Sequence, residues 1–238
     1  MNAMNYNWAG PPLRRSKIRP ELFQGLTLTE MRQTRKRFDE CLLADGEALP
    51  RDRHGLPHVA LVKEGTLRED VAAPHGGTRL FALAFAGETL PPTGPRHKGS
   101  LLRAVGTARI LTCSREVFAT LVTEVPRLQI NLLQVVQDQI AEVHRWQTLL
   151  GRKTAAERIA SILTWFHARQ GSPNDVILPI SRGELGELSG MTVETVSRQI
   201  RRLEKAGLIA LPKRHVVRLL DVETLLDRSE GAQLPRAA

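Results

Sequence analysis

At 238 residues the chain can bury the core of one large domain or of two modest ones. Lys and Arg total 34 against 25 for Asp and Glu, and the net charge of +9 points to a polyanionic partner, either nucleic acid or an acidic membrane surface. With only two cysteines, Cys41 and Cys113, a disulfide framework and a Cys-based zinc or iron–sulfur set are excluded, and no apolar run has signal-peptide or membrane-spanning length, so the reading is a soluble cytoplasmic protein with no membrane partner.

Residues 1–20 are rich in Pro, Asn and basic side chains (Arg14, Arg15, Lys17, Arg19), the composition of a flexible basic arm. In TLTEMRQTRKRF, Thr27 and Glu30 have capping-box spacing and predict a short helix. From about Cys41 to Ile110, short apolar stretches (VALVKEGTL, TRLFALAFAGE, LLRAVGTARIL) alternate with glycine-bearing turns, which predicts a compact β sandwich or barrel. Between Ser114 and Gly151 the pattern turns helical. Leu133, Val136, Ile140, Val143, Gln147 and Leu150 recur at steps of three and four, a seam narrow enough to favour packing against a second copy over packing on the β half.

Past Gly151, TAAERIASILTWFHARQ places Ile159, Ile162, Leu163 and Phe166 on one helical face, and GSPND reads as a linker. VILPI and HVVRLL read as strands. Between them Ser181 and Glu184 form a capping box, Leu185 and Leu188 an inner face, and Ser189 with Gly190 a break, after which Thr192 caps a second helix. That is helix-turn-helix spacing. On the second helix, Val196, Ile200 and Leu203 fall on one side and Glu194, Ser197, Arg198 and Arg201 on the other. Arg can grip guanine with two bonds, a carboxylate can accept from cytosine N4, and Ser bonds either way. Glu at the leading end would repel phosphate, so its presence points to base reading by Glu194, Ser197 and Arg198. Thr192, Arg182, Arg201, Arg202, Lys213 and Arg214 are expected on the DNA backbone.

SRGELGELSGMTVETVSRQIRRLEKAGLI, with HVVRLL behind it, resembles the DNA-binding domain of the CRP/FNR superfamily of bacterial transcription regulators. Its ETVSR core looks like the FNR and FixK branch, and the resemblance extends through GRKTAAERIAS and the long helix into the β-rich half. It implies an α+β chain with an N-terminal double-stranded β-roll (a cupin-like jelly roll), a long dimerisation helix and a C-terminal winged helix-turn-helix. The expected boundaries are a basic arm at 1–20, the roll at 21–125, the helix at 126–151, the DNA-binding domain at 152–229 and a tail at 230–238. The implied function is a homodimeric transcription regulator on an inverted repeat of TTGAT-like half-sites, activating or repressing according to where the site lies relative to the promoter. RNA polymerase is a partner by resemblance only. Leu133, Val136, Ile140, Val143 and Leu150 would form the dimer interface.

Family members that bind cyclic nucleotide use a Gly-Glu pair and a later Arg. Here Gly87 and Glu88 keep the pair, Lys98 replaces the Arg, and Arg103 follows, while Pro91, Pro92 and Pro95 disfavour the helical turn of a phosphate cassette. The expectation is therefore a degenerate effector cassette and no cofactor. The oxygen-sensing branch needs four thiolates for its cluster, and this chain has two. Cys113 and Cys41 are each a structural cysteine or a redox-sensitive thiol. His54, His58, His75, His97, His144 and His167 suggest no metal or haem site, and Trp146 and Trp165 read as filling helix interfaces. No nucleophile setting or phosphate-cradling loop suggests an enzyme. The alternative is a regulator of the same fold that binds DNA only with a small molecule, haem or nucleotide bound.

Overall fold

The computed structural model describes residues 21–50, 59–72, 77–90 and 100–230. The predicted arm at 1–20, the tail beyond 230, Lys98 and the prolines beside it, and His54, His58, His75 and His97 lie outside them. The chain divides into two compact units, Met1–Gln139 and Ile140–Ala238.

In the first unit a 3-10 turn (Glu21–Phe23) leads to α1 (Leu28–Lys36). As its spacing predicts, Glu30 N–H donates to Thr27 Oγ1 at 3.2 Å while Thr27 N–H donates back to the Glu30 carboxylate at 2.8 Å. Strands β1 (Asp39–Leu43), β2 (Val59–Ala72), β3 (Thr78–Phe85), β4 (Thr89–Leu90) and β5 (Leu101–Cys113) form an antiparallel sheet in the order β1-β5-β2-β3, with β4 also on β2. Successive side chains of a strand point to opposite faces. Val59 and Leu61 therefore enter one core with Phe23, Phe38, Leu111, Phe118 and Leu128, while Ala60 and Val62 enter another with Leu43, Leu67, Leu102 and Ile110. Burial on both faces explains why this stretch reads VALV instead of alternating with polar residues.

Ser114 caps α2 (Arg115–Glu124), and Pro126 opens α3 (Pro126–Arg152). Leu128 is fully buried, and the Asn131 carboxamide donates to the Leu22 and Gln24 carbonyls at 2.8 Å each. These contacts assign the start of α3 to the β unit. The units accordingly part within the helix, between Gln139 and Ile140, and not at its ends.

In the second unit Thr154 caps α4 (Ala155–Arg169), whose Ile159, Ile162, Leu163 and Phe166 are all fully buried. Each such side chain is worth about 1.5–3 kcal/mol of burial. Strands β6 (Asp175–Ile177), β7 (Ile209–Lys213) and β8 (Val216–Leu219) pair in the order β6-β8-β7 and flank α5 (Arg182–Ser189) and α6 (Val193–Lys205). The strand predicted for VILPI is thus shorter than expected. Leu178 N–H still donates to the His215 carbonyl at 2.8 Å, but Pro179 has no N–H with which to continue the ladder. Helix α7 (Val222–Ser229), capped by Asp221 and packed on α4, was not expected from the sequence. Trp146 and Trp165 do fill a helix interface: their rings meet edge to face at 5.5 Å, and both indole N–H groups donate to the Glu142 carboxylate. With its N-terminal antiparallel β domain, long helix and C-terminal winged helix-turn-helix, the chain has the α+β architecture expected of it.

Candidate nucleic-acid interface

Helix α5 begins with the predicted capping box: Glu184 N–H donates to Ser181 Oγ at 3.2 Å, and Ser181 N–H to the Glu184 carboxylate at 2.8 Å. Ser189 does not break the helix. It is the last helical residue, fully buried, with its hydroxyl donating to the Leu185 carbonyl at 2.6 Å. The break falls at Gly190, whose φ of 63° is left-handed and costs a side-chain-bearing residue strain. A second glycine, Gly186, was missed by sequence reasoning. A Cβ there would stand 2.7 Å from the Met191 carbonyl oxygen, so the close approach of turn to helix requires its absence.

Thr192 Oγ1 accepts the Thr195 N–H at 3.3 Å and starts α6. Val196, Ile200 and Leu203 are buried against the domain, which turns Glu194, Arg198, Arg201 and Arg202 outward, with Ser197 partly exposed. Together with Val193 and Lys205, these side chains line a shallow open concavity along the helix. Lys205 lies one turn beyond Arg201 and was legible by the same periodicity, although it was not assigned. The Glu194 carboxyl is held below its usual range by its own backbone N–H and by the Thr192 hydroxyl, so it stays ionised at the helix start. Among the described residues Arg198 makes one long hydrogen bond, 3.4 Å from Nη2 to Thr195 Oγ1.

The wing is the β7–β8 hairpin, with Lys213 paired to Val216 across a two-residue turn of Arg214 and His215. Among the described residues Arg198, Arg201, Arg202, Lys213 and Arg214 enter no ion pair. Arg218, on β8 of the same hairpin, differs: its guanidinium is bonded to both Asp175 carboxylate oxygens at 2.6 and 3.0 Å, which occupies it. Arg182 is half-buried. Burial and the nearby Arg201 pull its pKa down against the opposing charge of Glu204, and its Nη1 is buried without a hydrogen-bond partner. Burial, then Arg214 and Arg182, likewise lower the pKa of His215.

On α3, Leu133, Ile140, Val143 and Leu150 are exposed by 43–59% in the single chain, Ile130 by 59%, and Val136 is half-buried. In the β unit, Gly87 and Glu88 form a turn against β2, where Gly87 N–H donates to Val62 O at 2.8 Å and Val62 N–H to Glu88 O at 2.9 Å. The Glu88 carboxylate accepts the Phe85 N–H at 3.1 Å. Arg103 is in register with Arg68, six residues further along β2 than Val62, and donates to the Gly46 carbonyl at 3.1 Å.

Cys113 is buried, and desolvation with the charge of Asp39 pushes its thiol up to about 12; burial, then Glu47 and Glu40, raise that of Cys41. Both thiols therefore lack the lowered pKa that a reactive cysteine needs. Two cysteines cannot supply four thiolates to a cluster, and among the described residues no group of three His, Cys, Asp or Glu could hold a metal ion. Among those residues no helix is long and apolar enough to cross a membrane.

The Crp-like helix-turn-helix domain family matches residues 157–228. A "Probable transcriptional activator" of Rhizobium leguminosarum bv. viciae is 29% identical over 161 residues, 66% of this chain and 67% of that protein. The "Transcriptional activator protein FnrL" of Cereibacter sphaeroides is 36% identical over 134 residues, and there the match spans 52% of this chain and about half, 54%, of the relative. The structure of FixK2 from Bradyrhizobium japonicum superposes with a TM-score of 0.70 at 22% identity, covering 84% of this chain and 99% of that one, a likeness of fold. With a capped helix-turn-helix, a basic outer face on α6 and a wing behind it, residues 157–228 belong to the Crp-like helix-turn-helix domain family, and the chain around them is similar to bacterial transcription activators and has the FixK2 fold.

Proposed function

We propose that the chain is a transcription activator that binds duplex DNA as a homodimer on an inverted repeat of TTGAT-like half-sites, without cyclic nucleotide and without an iron–sulfur cluster. The observation that carries this reading is the outer face of α6, where Arg198, Arg201 and Arg202 have no carboxylate partner among the described residues and stand behind an ionised Glu194. A surface built only to attract phosphate would not lead with a carboxylate. Glu194, Ser197 and Arg198 read base edges, while Thr192, Arg182, Arg201, Arg202, Lys213 and Arg214 hold the backbone. The exposed apolar row on α3, with Leu133, Ile140, Val143 and Leu150, supports self-association. Two recognition helices related by a two-fold axis then enter successive major grooves about one helical turn apart. RNA polymerase is the expected protein partner, and the raised thiol pKa values favour a structural role for Cys41 and Cys113.

The test is fluorescence anisotropy of the ligand-free protein on a TTGAT/ATCAA inverted repeat, and on the same duplex with its two symmetric guanines replaced, at one salt concentration. Tight binding that collapses on replacement supports the reading. Equal, weak and salt-sensitive binding to both defeats it as stated and turns attention to a regulator that requires an effector.

A further inference from the structure

Arg158 stands in the first turn of α4, where a cation gains nothing from the helix dipole. Its three kinds of N–H instead reach three backbone carbonyls. Nε donates to Lys153 O at 2.9 Å, Nη2 to Leu150 O at 2.7 Å and Nη1 to Ser189 O at 2.9 Å. Leu150 O belongs to the last turn of α3, Lys153 O follows it directly, and Ser189 O closes α5. Helix C-termini leave carbonyls unsatisfied and carry partial negative charge, so one guanidinium serves two helix ends at once. Charged donors make the stronger bonds, and the planar fork fixes their directions.

The turn between α5 and α6 is fitted around this side chain. A Cβ at Gly190 would lie 3.4 Å from Arg158 Nη1 and 3.5 Å from Leu150 Cδ2, so the end of α3 and the guanidinium fill the space beside the turn.

We propose that Arg158 is a positioning residue that locks the C-terminal end of α3 to the turn of the helix-turn-helix and thereby sets the half-site spacing a dimer accepts. The proposal rests on the DNA-binding reading above. Its physical basis is that one added base pair moves a half-site by about 3.4 Å and rotates it by about 34°, given a turn of 10–10.5 base pairs in 34–36 Å. A recognition helix whose turn is tied through the Arg158 guanidinium to the end of α3 cannot follow such a shift; one released from that tie can.

Full-length wild type, Arg158→Lys and Arg158→Gln would be compared by anisotropy on the inverted repeat with its central spacer at the optimum, one base pair shorter and one longer. Wild type should bind the optimum at least about tenfold more tightly than either neighbour, as the loss of productive base contacts in one half-site implies. Both variants should lower that ratio below about threefold, mainly by weakening the optimum, while the penalty for replacing the guanines persists. Lys keeps the charge but not the fork, so its failure to rescue would separate geometry from simple attraction. A wild type indifferent to spacing, or variants with an unchanged spacing ratio, would overturn the proposal.

Hydrogen exchange gives a readout without DNA. In Arg158→Lys, peptides covering 147–153 and 186–192 should exchange together at least about tenfold faster, with 159–169 unchanged, because the two helix ends share one donor. Unchanged exchange at both ends would overturn the clamp. If wild type ignores the guanine replacement, the failure belongs to the proposed function, and the exchange result alone decides the clamp.

Discussion

Replacing Arg198 with Ala removes a guanidinium whose one hydrogen bond among the described residues is a 3.4 Å approach to Thr195 Oγ1, at the outer limit for such a bond. Little folding stability is at stake, and Ala is at least as good a helix former as Arg. The melting temperature should therefore stay close to that of wild type. The loss falls on binding: a two-bond grip on guanine is worth about 1–3 kcal/mol per half-site, and a symmetric dimer loses it twice, so the full repeat should weaken by about 2–6 kcal/mol. The base preference at one pair per half-site should also relax. Lys213→Ala, at an exposed wing position, should weaken cognate and scrambled duplexes alike and reduce the slope of log affinity against log salt by about 0.9 per lost phosphate contact. Anisotropy titrations of both variants on both duplexes at several salt concentrations test this. Equal losses for Arg198→Ala on cognate and scrambled DNA would refute base reading by this residue.

Three further outcomes are expected. Ile140 is 52% exposed in the single chain, so Ile140→Glu should leave the monomer folded yet oppose like charges across the dimer seam; sedimentation should find monomers that bind the repeat poorly, and a full dimer would refute the seam. Gly186→Ala brings a Cβ to 2.7 Å from the Met191 carbonyl, so despite Ala's better helix propensity it should cost about 1–3 kcal/mol, and a raised melting temperature would show that the turn tolerates the approach. The folded-state pKa of His215 lies below its ordinary 6.5, so the unfolded chain binds its proton first as pH falls. The stability held by neutral His215 is present above pH 6.5 and is lost as pH falls through the window beneath it; the melting temperatures of wild type and His215→Gln should diverge in that window, and parallel curves would refute the coupling.

What the sequence by itself determined is local or periodic. Thr27 with Glu30 and Ser181 with Glu184 cap helices because the partners are three residues apart, and Gly190 marks the turn because its own φ demands it. The two faces of α6 and the exposed row on α3 follow from the helical repeat, which any reader of the chain can project. Helix α7 escaped notice, being eight residues long with a short apolar pattern, and its identity rests on packing against α4.

Tertiary structure decided what depends on distant residues arriving side by side. Asp175 neutralises Arg218 from 43 residues away, which leaves the wing one free cation fewer. Burial between packed elements, and no neighbour in sequence, raises the Cys113 thiol, and the same kind of enclosure half-buries Arg182. Arg158 looks like an ordinary charged residue in ERIAS until Leu150 and Ser189, 8 and 31 residues away, present their carbonyls to it. Spacing along the chain encodes the elements and their faces; which charges remain free, and which helix ends share a donor, is set only when those faces meet.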